Sequence, residues 1–139
     1  MAKRVLVVDD HAPTRALIRT VLEAEKASAF EVVEAATGTD CLKTMDKRGP
    51  FDLVLLDVNL PDMDGYSVCR ALRHVDGKIP IVFVTARGEM QDYAAGRQAG
   101  GDSYLVKPIA RAALRSIVNL FTSVDRSRRA DTAAREASR

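Results

Sequence analysis

Tryptophan is absent, and Phe and Tyr together bring aromatic residues to only 5%. Binding of single-stranded nucleic acid by base stacking needs such rings, so their scarcity argues against it. Cysteine is scarce too. Cys41 and Cys69 stand far apart, form no CxxC, and have no His at zinc-ligand spacing. Each falls in an apolar helical pattern and reads as a reduced core thiol. No apolar run approaches the roughly 20 residues that span a bilayer. Met1-Ala2-Lys3-Arg4 followed by Val5-Leu6-Val7-Val8 is basic and then apolar, but Asp9-Asp10 ends the run far short of a signal-peptide core. No membrane partner and a cytoplasmic location are therefore expected. A basic stripe is missing as well. The net charge of +2 resides in residues 123–139, where five Arg face Asp125, Asp131 and Glu136, so residues 1–122 are neutral. A nucleic-acid-binding domain would carry its positive charge on the folded part.

What is present suits one compact domain: 139 residues, 47% hydrophobic and 29% charged. Five short apolar, β-branched runs recur, at Val5–Val8, Glu31–Glu34, Leu53–Leu56, Ile81–Val84 and Ser103–Val106. The first, third and fourth are almost wholly apolar, as strands buried on both faces are. The second and fifth are partly polar and suit sheet edges.

Helical patterns lie between the runs. Leu17, Ile18, Val21 and Leu22 form one apolar face, with Pro13 in the first turn, where its missing N–H costs little. Thr37 with Asp40 resembles a capping box, and Asp64 can cap a helix carrying Val68, Cys69 and Leu72. Glu89–Ala99 is weakly amphipathic and contains Gly96, which predicts the least stable helix. Leu114, Ile117, Val118 and Phe121 make the last apolar face.

Strand and helix alternate five times, which implies a parallel sheet covered on both sides. Right-handed crossovers leave few topologies. By analogy with known doubly wound folds, the expected architecture is a flavodoxin-like (βα)5 sandwich with strand order 2-1-3-4-5. The domain is expected over residues 1–122. Residues 123–139 form an Arg- and Ala-rich tail without an apolar stripe, read as a helical extension or linker.

Chemistry gathers at the strand ends. The first run ends in Asp9-Asp10, the third in Asp57, the fourth in Thr85-Ala86 and the fifth in Lys107-Pro108. In a parallel sheet all of these emerge on one edge. Three clustered carboxylates disfavour one another's ionisation, and a divalent cation relieves the conflict. Mg²⁺ favours one or two carboxylates, waters and phosphate oxygens. Lys107 adds a compact positive charge for a phosphoryl oxygen, and the Thr85 hydroxyl with the Ala86 backbone N–H can hold another. This is equipment for phosphoryl transfer, in which a carboxylate can itself be the nucleophile.

These blocks resemble the receiver domain of bacterial two-component response regulators over residues 3–122. The resemblance rests on Val5-Leu6-Val7-Val8-Asp9-Asp10, Asp57-Val58-Asn59-Leu60-Pro61-Asp62-Met63-Asp64-Gly65, Val84-Thr85-Ala86 and Gly101-Asp102-Ser103-Tyr104-Leu105-Val106-Lys107-Pro108. It implies that Asp57 is phosphorylated, that Asp10 ligates Mg²⁺ directly and that Asp9 acts through water. It also implies that the Asn59 backbone carbonyl completes the protein's share of the metal shell, that Lys107 pairs with the phosphoryl group, and that the Lys107–Pro108 bond is cis. Thr85 is then the switch hydroxyl, Tyr104 the aromatic that changes rotamer with it, and Ala86 a small residue leaving the site accessible. Asn59 and Arg87 occupy positions that tune the phosphoryl lifetime. His11 and His74 lack partners at ligand spacing and read as structural or solvated.

The expected function is a signalling switch. A sensor histidine kinase or a histidine phosphotransfer protein donates to Asp57. The face built from the fourth helix, fifth strand and fifth helix then changes its protein partner or self-associates. Such a domain promotes its own phosphorylation and dephosphorylation and is not a conventional enzyme. No specific nucleic-acid binding is expected, since only one core-facing helix follows the fifth strand. One alternative is an aspartyl-phosphate phosphatase or phosphotransferase of the haloacid dehalogenase type, but it wants Asp where Asn59 stands. A flavodoxin-like cofactor binder would want a Ser-, Thr- and Gly-rich loop where Asp9-Asp10-His11 stands.

Overall fold

The computed structural model describes residues 2–24, 30–86 and 93–123. Five strands and five helices alternate: β1 Lys3–Val8, α1 Ala12–Glu23, β2 Phe30–Ala35, α2 Gly38–Arg48, β3 Leu53–Asp57, α3 Gly65–Val75, β4 Ile81–Ala86, α4 Tyr93–Ala99, β5 Ser103–Lys107 and α5 Arg111–Thr122. All pairings are parallel and the order is β2-β1-β3-β4-β5, as expected.

The apolar strands are apolar because both faces are covered. Val5 and Val7 join Leu53, Leu55, Val82 and Val84 in a core under α1 and α5. Leu6 and Val8 join Val54, Leu56, Ile81 and Phe83 in a second core under α2, α3 and α4. Each fully buried Leu, Ile or Phe contributes about 1.5–3 kcal/mol relative to exposure. Cys41 and Cys69 are free and buried in the second core, and burial pushes their thiols up to about 12 and about 11. They are inert at neutral pH. The edge strand β2 exposes Glu31 and Glu34. Arg19 covers its rim by donating to the Val32 carbonyl at 3.0 Å while Arg15 and Arg19 pair with Glu34 at 2.9 and 2.8 Å, which blocks addition of a further strand.

Every strand starts or ends beyond its apolar run, and β3 gains Asp57. A ladder is a property of the backbone and does not stop where polarity begins. Asp57 lies opposite Val84, Thr85 opposite Val106, and Ala86 opposite Lys107. Asp57, Thr85, Ala86 and Lys107 are therefore anchored in the sheet, while Asp9 and Asp10 follow the end of β1.

The helix starts follow their local signals. Thr37 accepts the Asp40 N–H at 3.0 Å, and Asp64 accepts the Ser67 N–H at 2.8 Å. The first helix begins after His11, with Pro13 in its first turn and no side-chain cap. The fourth helix is described from Tyr93; residues 89–92 of its expected span, and Arg87, lie outside the described residues. Gly96 has a packing role that propensity does not reveal, because a Cβ there would stand 1.8 Å from the Tyr104 hydroxyl. The missing side chain lets the tyrosine pack against the helix. Of the tail, only Ser123 is described.

Candidate functional site

The carboxyl edge of the sheet brings Asp9, Asp10, Asp57, Thr85 and Lys107 to one place. Asp57 closes β3 and is 5% exposed; Asp9, just past β1, is 2% exposed, while Asp10 faces solvent. One carboxylate oxygen from each lies within 4.8 Å of the others. Lys107 Nζ sits 2.9 Å from Asp9 Oδ2 and 3.4 Å from Asp57 Oδ2, bridging the two buried acids. The contact with Asp9 is an ion pair, and among the described residues Asp9 Oδ2 is a buried oxygen with no further polar partner. Asp9 Oδ1 accepts the His11 N–H at 2.8 Å, and Asp57 Oδ1 accepts the Asn59 N–H at 3.2 Å.

Among the described residues, one ammonium faces three carboxylates and cannot balance them. Burial, with the adjacent Asp9 charge second, pushes the Asp57 carboxyl up to about 6, against the opposing pull of the Asn59 N–H and Lys107. Lys107 loses some hydration by burial, yet Asp9 and Asp57 hold its pKa above the ordinary lysine value. Both shifts describe a site short of positive charge. The donor set is all oxygen, and one donor, Asp9 Oδ2, is buried with Lys107 as its partner among the described residues. These residues fit a hard divalent cation of the Mg²⁺ type.

Thr85 is fully buried, its hydroxyl 3.3 Å from the Ala86 carbonyl, while Ala86 itself is exposed. Tyr104 lies opposite Phe83 in the ladder. Its ring is 5.3 Å from Phe83 and stacks on Tyr93 at 4.1 Å; Tyr66 meets Phe83 edge-on at 5.1 Å. The Tyr104 hydroxyl reaches the Tyr93 carbonyl at 3.4 Å. A run of aromatics thus ties α3, β4, β5 and α4. The Lys107–Pro108 bond is cis, as the resemblance implies, and Gly49–Pro50 is cis as well.

Of the site residues named from sequence, Asp9, Asp10, Asp57 and Lys107 lie together, Thr85 and Ala86 end the neighbouring strand β4, and Tyr104 packs instead against Phe83 and Tyr93. His11 and His74 take no part in the carboxylate cluster; His11 Nδ1 pairs with the Thr14 hydroxyl at 2.7 Å. Sequence reasoning missed the supports. Arg73 ties α3 to the carbonyls of Ile79 and Gly100 and to Asp102 at 2.9 Å. Asp62 reaches back to the start of α2. Neither has a local sequence signature, because their partners lie 24 to 29 residues away for Asp62–Gly38 and Arg73–Asp102.

The family model of the response regulator receiver domain matches residues 5–119. The chain belongs to that family. The transcriptional regulatory protein PrrA of Mycobacterium tuberculosis is 41% identical over 111 residues, covering 80% of this chain and 46% of PrrA. AfsQ1 of Streptomyces coelicolor, also a transcriptional regulatory protein, is 41% identical over 110 residues, covering 78% of this chain and 46% of the relative. The chain thus spans about half the length of the curated relatives it matches. Among solved structures, a CheY-like response regulator receiver domain protein from Methanospirillum hungatei superposes with a TM-score of 0.80 at 27% identity, covering 88% of this chain and 95% of its own. Chemotaxis protein CheY4 of Vibrio cholerae gives 0.80 at 28% identity, covering 87% and 99%. This receiver domain is a module of two-component signalling with a phospho-acceptor role. The haloacid dehalogenase alternative finds no support in the family match. Among the described residues, no helix is long and apolar enough to cross a membrane.

Proposed function

We propose that Asp57 is the phosphoryl acceptor of this receiver domain, that Asp10 and Asp57 with the Asn59 carbonyl hold Mg²⁺, and that Asp9 acts on the metal through water. The supporting observation is the convergence on Asp57 of two further carboxylates within 4.8 Å and the Lys107 ammonium at 3.4 Å. The donor is a phosphohistidine of a sensor kinase or phosphotransfer protein. An ionised Asp57 oxygen attacks phosphorus, a P–O bond forms, and the P–N bond breaks with its electron pair leaving on the imidazole. A bound Mg²⁺ supplies neutralisation of the phosphoryl oxygens. Lys107 moves its charge from the carboxylate pair to the incoming phosphoryl group. The Ala86 N–H and the Thr85 hydroxyl take phosphoryl oxygens.

Drawing the Thr85 hydroxyl toward the phosphoryl group leaves room that Tyr104 fills, and the aromatic stack on α4 rearranges. Output is then a protein contact on α4, β5 and α5, either with a downstream partner or with a second copy. No sequence-specific nucleic-acid binding is assigned to this domain. The domain works in the cytoplasm and catalyses only its own phosphorylation and dephosphorylation. Incubation with acetyl phosphate and Mg²⁺ is expected to add one phosphoryl mass, and Asp57→Asn to add none. Labelling of the Asn variant at the wild-type level would refute the assignment.

A further inference from the structure

The segment between Asp57 and α3 is suspended at three points. Its base is closed by the Gly65 N–H on the Val58 carbonyl at 2.7 Å, beside a bridge between Asn59 and Asp64. Asp64 turns forward and caps α3, accepting the Ser67 N–H and hydroxyl at 2.8 and 2.9 Å. Asp62 turns the other way. Its Oδ1 accepts the Gly38 N–H at 2.8 Å, and its Oδ2 accepts the Thr39 N–H at 2.9 Å and the Thr39 hydroxyl at 2.6 Å. Gly38 and Thr39 are the first two residues of α2, whose N–H groups have no partner within the helix. The third first-turn N–H, from Asp40, goes to Thr37. Asp62 therefore completes the cap of a helix that begins 24 residues earlier.

Two further observations show a built contact. These bonds hold the Asp62 carboxyl down at about 2, so it is ionised throughout the physiological range. Met63 packs on the same turn, where a Cβ on Gly38 would stand 2.3 Å from Met63 Cγ and 2.9 Å from Val68. Successive residues of the loop thus dock on α2, one by charge and one by apolar contact. Three residues before this anchor lies Asn59, whose N–H is 3.2 Å from Asp57 Oδ1.

We infer that Asp62 is a positioning residue for phosphoryl transfer: by fastening the loop to the amino end of α2, it fixes where Asn59 presents its backbone to Asp57 and to the metal. The inference rests on the proposed metal site for its functional consequence, but the anchoring itself does not. Without the Asp62 anchor, the 59–63 loop keeps its base, its forward cap and the apolar contact of Met63, but loses its polar tie to α2. Its backbone then samples positions away from the acidic cluster, and a carbonyl ligand that must be ordered on binding gives weaker affinity.

The test compares Asp62→Ala with Thr37→Ala in the full chain. Both remove caps from the same helix turn, but only the first releases the loop. Amide NMR of the metal-free proteins reports the Asn59 position, a Mg²⁺ titration reports affinity, and thermal melting reports the loss of helix capping. Asp62→Ala is expected to shift the Asn59 amide and weaken Mg²⁺ binding about tenfold, whereas Thr37→Ala leaves affinity within about twofold of wild type. Wild-type affinity with an unshifted Asn59 amide in Asp62→Ala would overturn the inference. So would equal weakening in both variants, which would assign the effect to helix stability. If wild type binds no Mg²⁺ at Asp10 and Asp57, the metal-site reading fails separately, and the metal-free Asn59 shift still decides whether Asp62 positions the loop.

Discussion

An aspartate stands at each end of β3, and the two are held in opposite ways. Asp52, just before the strand, is 1% exposed. Its N–H donates to the Arg4 carbonyl and its Oδ2 accepts the Arg4 N–H, each at 2.7 Å. The first backbone pair of that ladder is Val5 with Leu53, so the carboxylate extends the ladder by a rung. The Arg4 side chain stays close, 4.6 Å over the Phe51 ring and bonded to the Pro50 carbonyl at 2.8 Å. Asp57 at the far end is nearly as buried but meets Asp9 and Asp10, with one shared lysine. Two residues of the same type, one strand apart, thus differ in what their ends of the sheet offer. The amino edge offers a backbone donor; the carboxyl edge offers further acids. Burial alone does not make a carboxylate reactive. Burial with too few donors does.

The largest expected effect separates the two outright. Asp57→Asn is expected to lower phosphorylation by acetyl phosphate at least about 1,000-fold, since the nucleophile is gone. Asp52→Asn keeps the acceptor and the ladder and is expected to stay within about threefold of wild type. Mass spectrometry of the two variants under one set of conditions reads both. Comparable losses would mean that Asp57 acts through the fold rather than as the nucleophile.

Metal response comes next in size. At about 100 times its dissociation constant, Mg²⁺ is expected to stabilise wild type by about 2.7 kcal/mol. Asp10→Ala is expected to abolish that gain. Asp52→Ala is expected to cost about 1–3 kcal/mol at every Mg²⁺ concentration, because the Arg4 N–H is left without its buried partner, and to keep the full metal response. Urea unfolding with and without Mg²⁺ distinguishes a lost ligand from a lost rung. A Mg²⁺ response surviving in Asp10→Ala would remove Asp10 from the metal site.

The contrast also marks what the sequence made legible. The fold was readable because the apolar runs of β1, β3 and β4 and the polar breaks in β2 reflect burial on two faces or at an edge. The capping by Thr37 and Asp64 was readable because each partner is three residues away. The gathering of Asp9, Asp10, Asp57 and Lys107 was readable because parallel strands end on one side. Hidden were the contacts that only tertiary structure creates: Asp52 on Arg4, Asp62 on α2, Arg73 on Asp102, and Tyr104 against Gly96. Gly96 shows the cost of reading locally. Propensity marked it as a weakness of α4, while in the fold its missing Cβ is the space that Tyr104 occupies.

The smallest expected effect tests whether the buried charge of Asp57 costs stability. Its carboxyl moves from the ordinary 3.8 up to about 6 in the folded protein. Between about pH 4 and pH 6 the folded state therefore keeps a proton that the unfolded chain releases, and stability from this group falls as pH rises through that window. Above it the whole cost of the buried charge is present. A shift of this size corresponds to about 3 kcal/mol, which solvent screening at a site open on one side reduces to about 1–2 kcal/mol. Asp57→Asn removes the charge and keeps the shape. Without metal, it is expected to exceed wild type in stability by about 1–2 kcal/mol at pH 8 and to equal it at pH 4. Mg²⁺ at pH 8 is expected to close the gap, because wild type gains the cation and the Asn variant loses a ligand. Paired urea titrations at the two pH values supply the measurement. A difference that is the same at both would trace the effect to packing and not to the charge of Asp57.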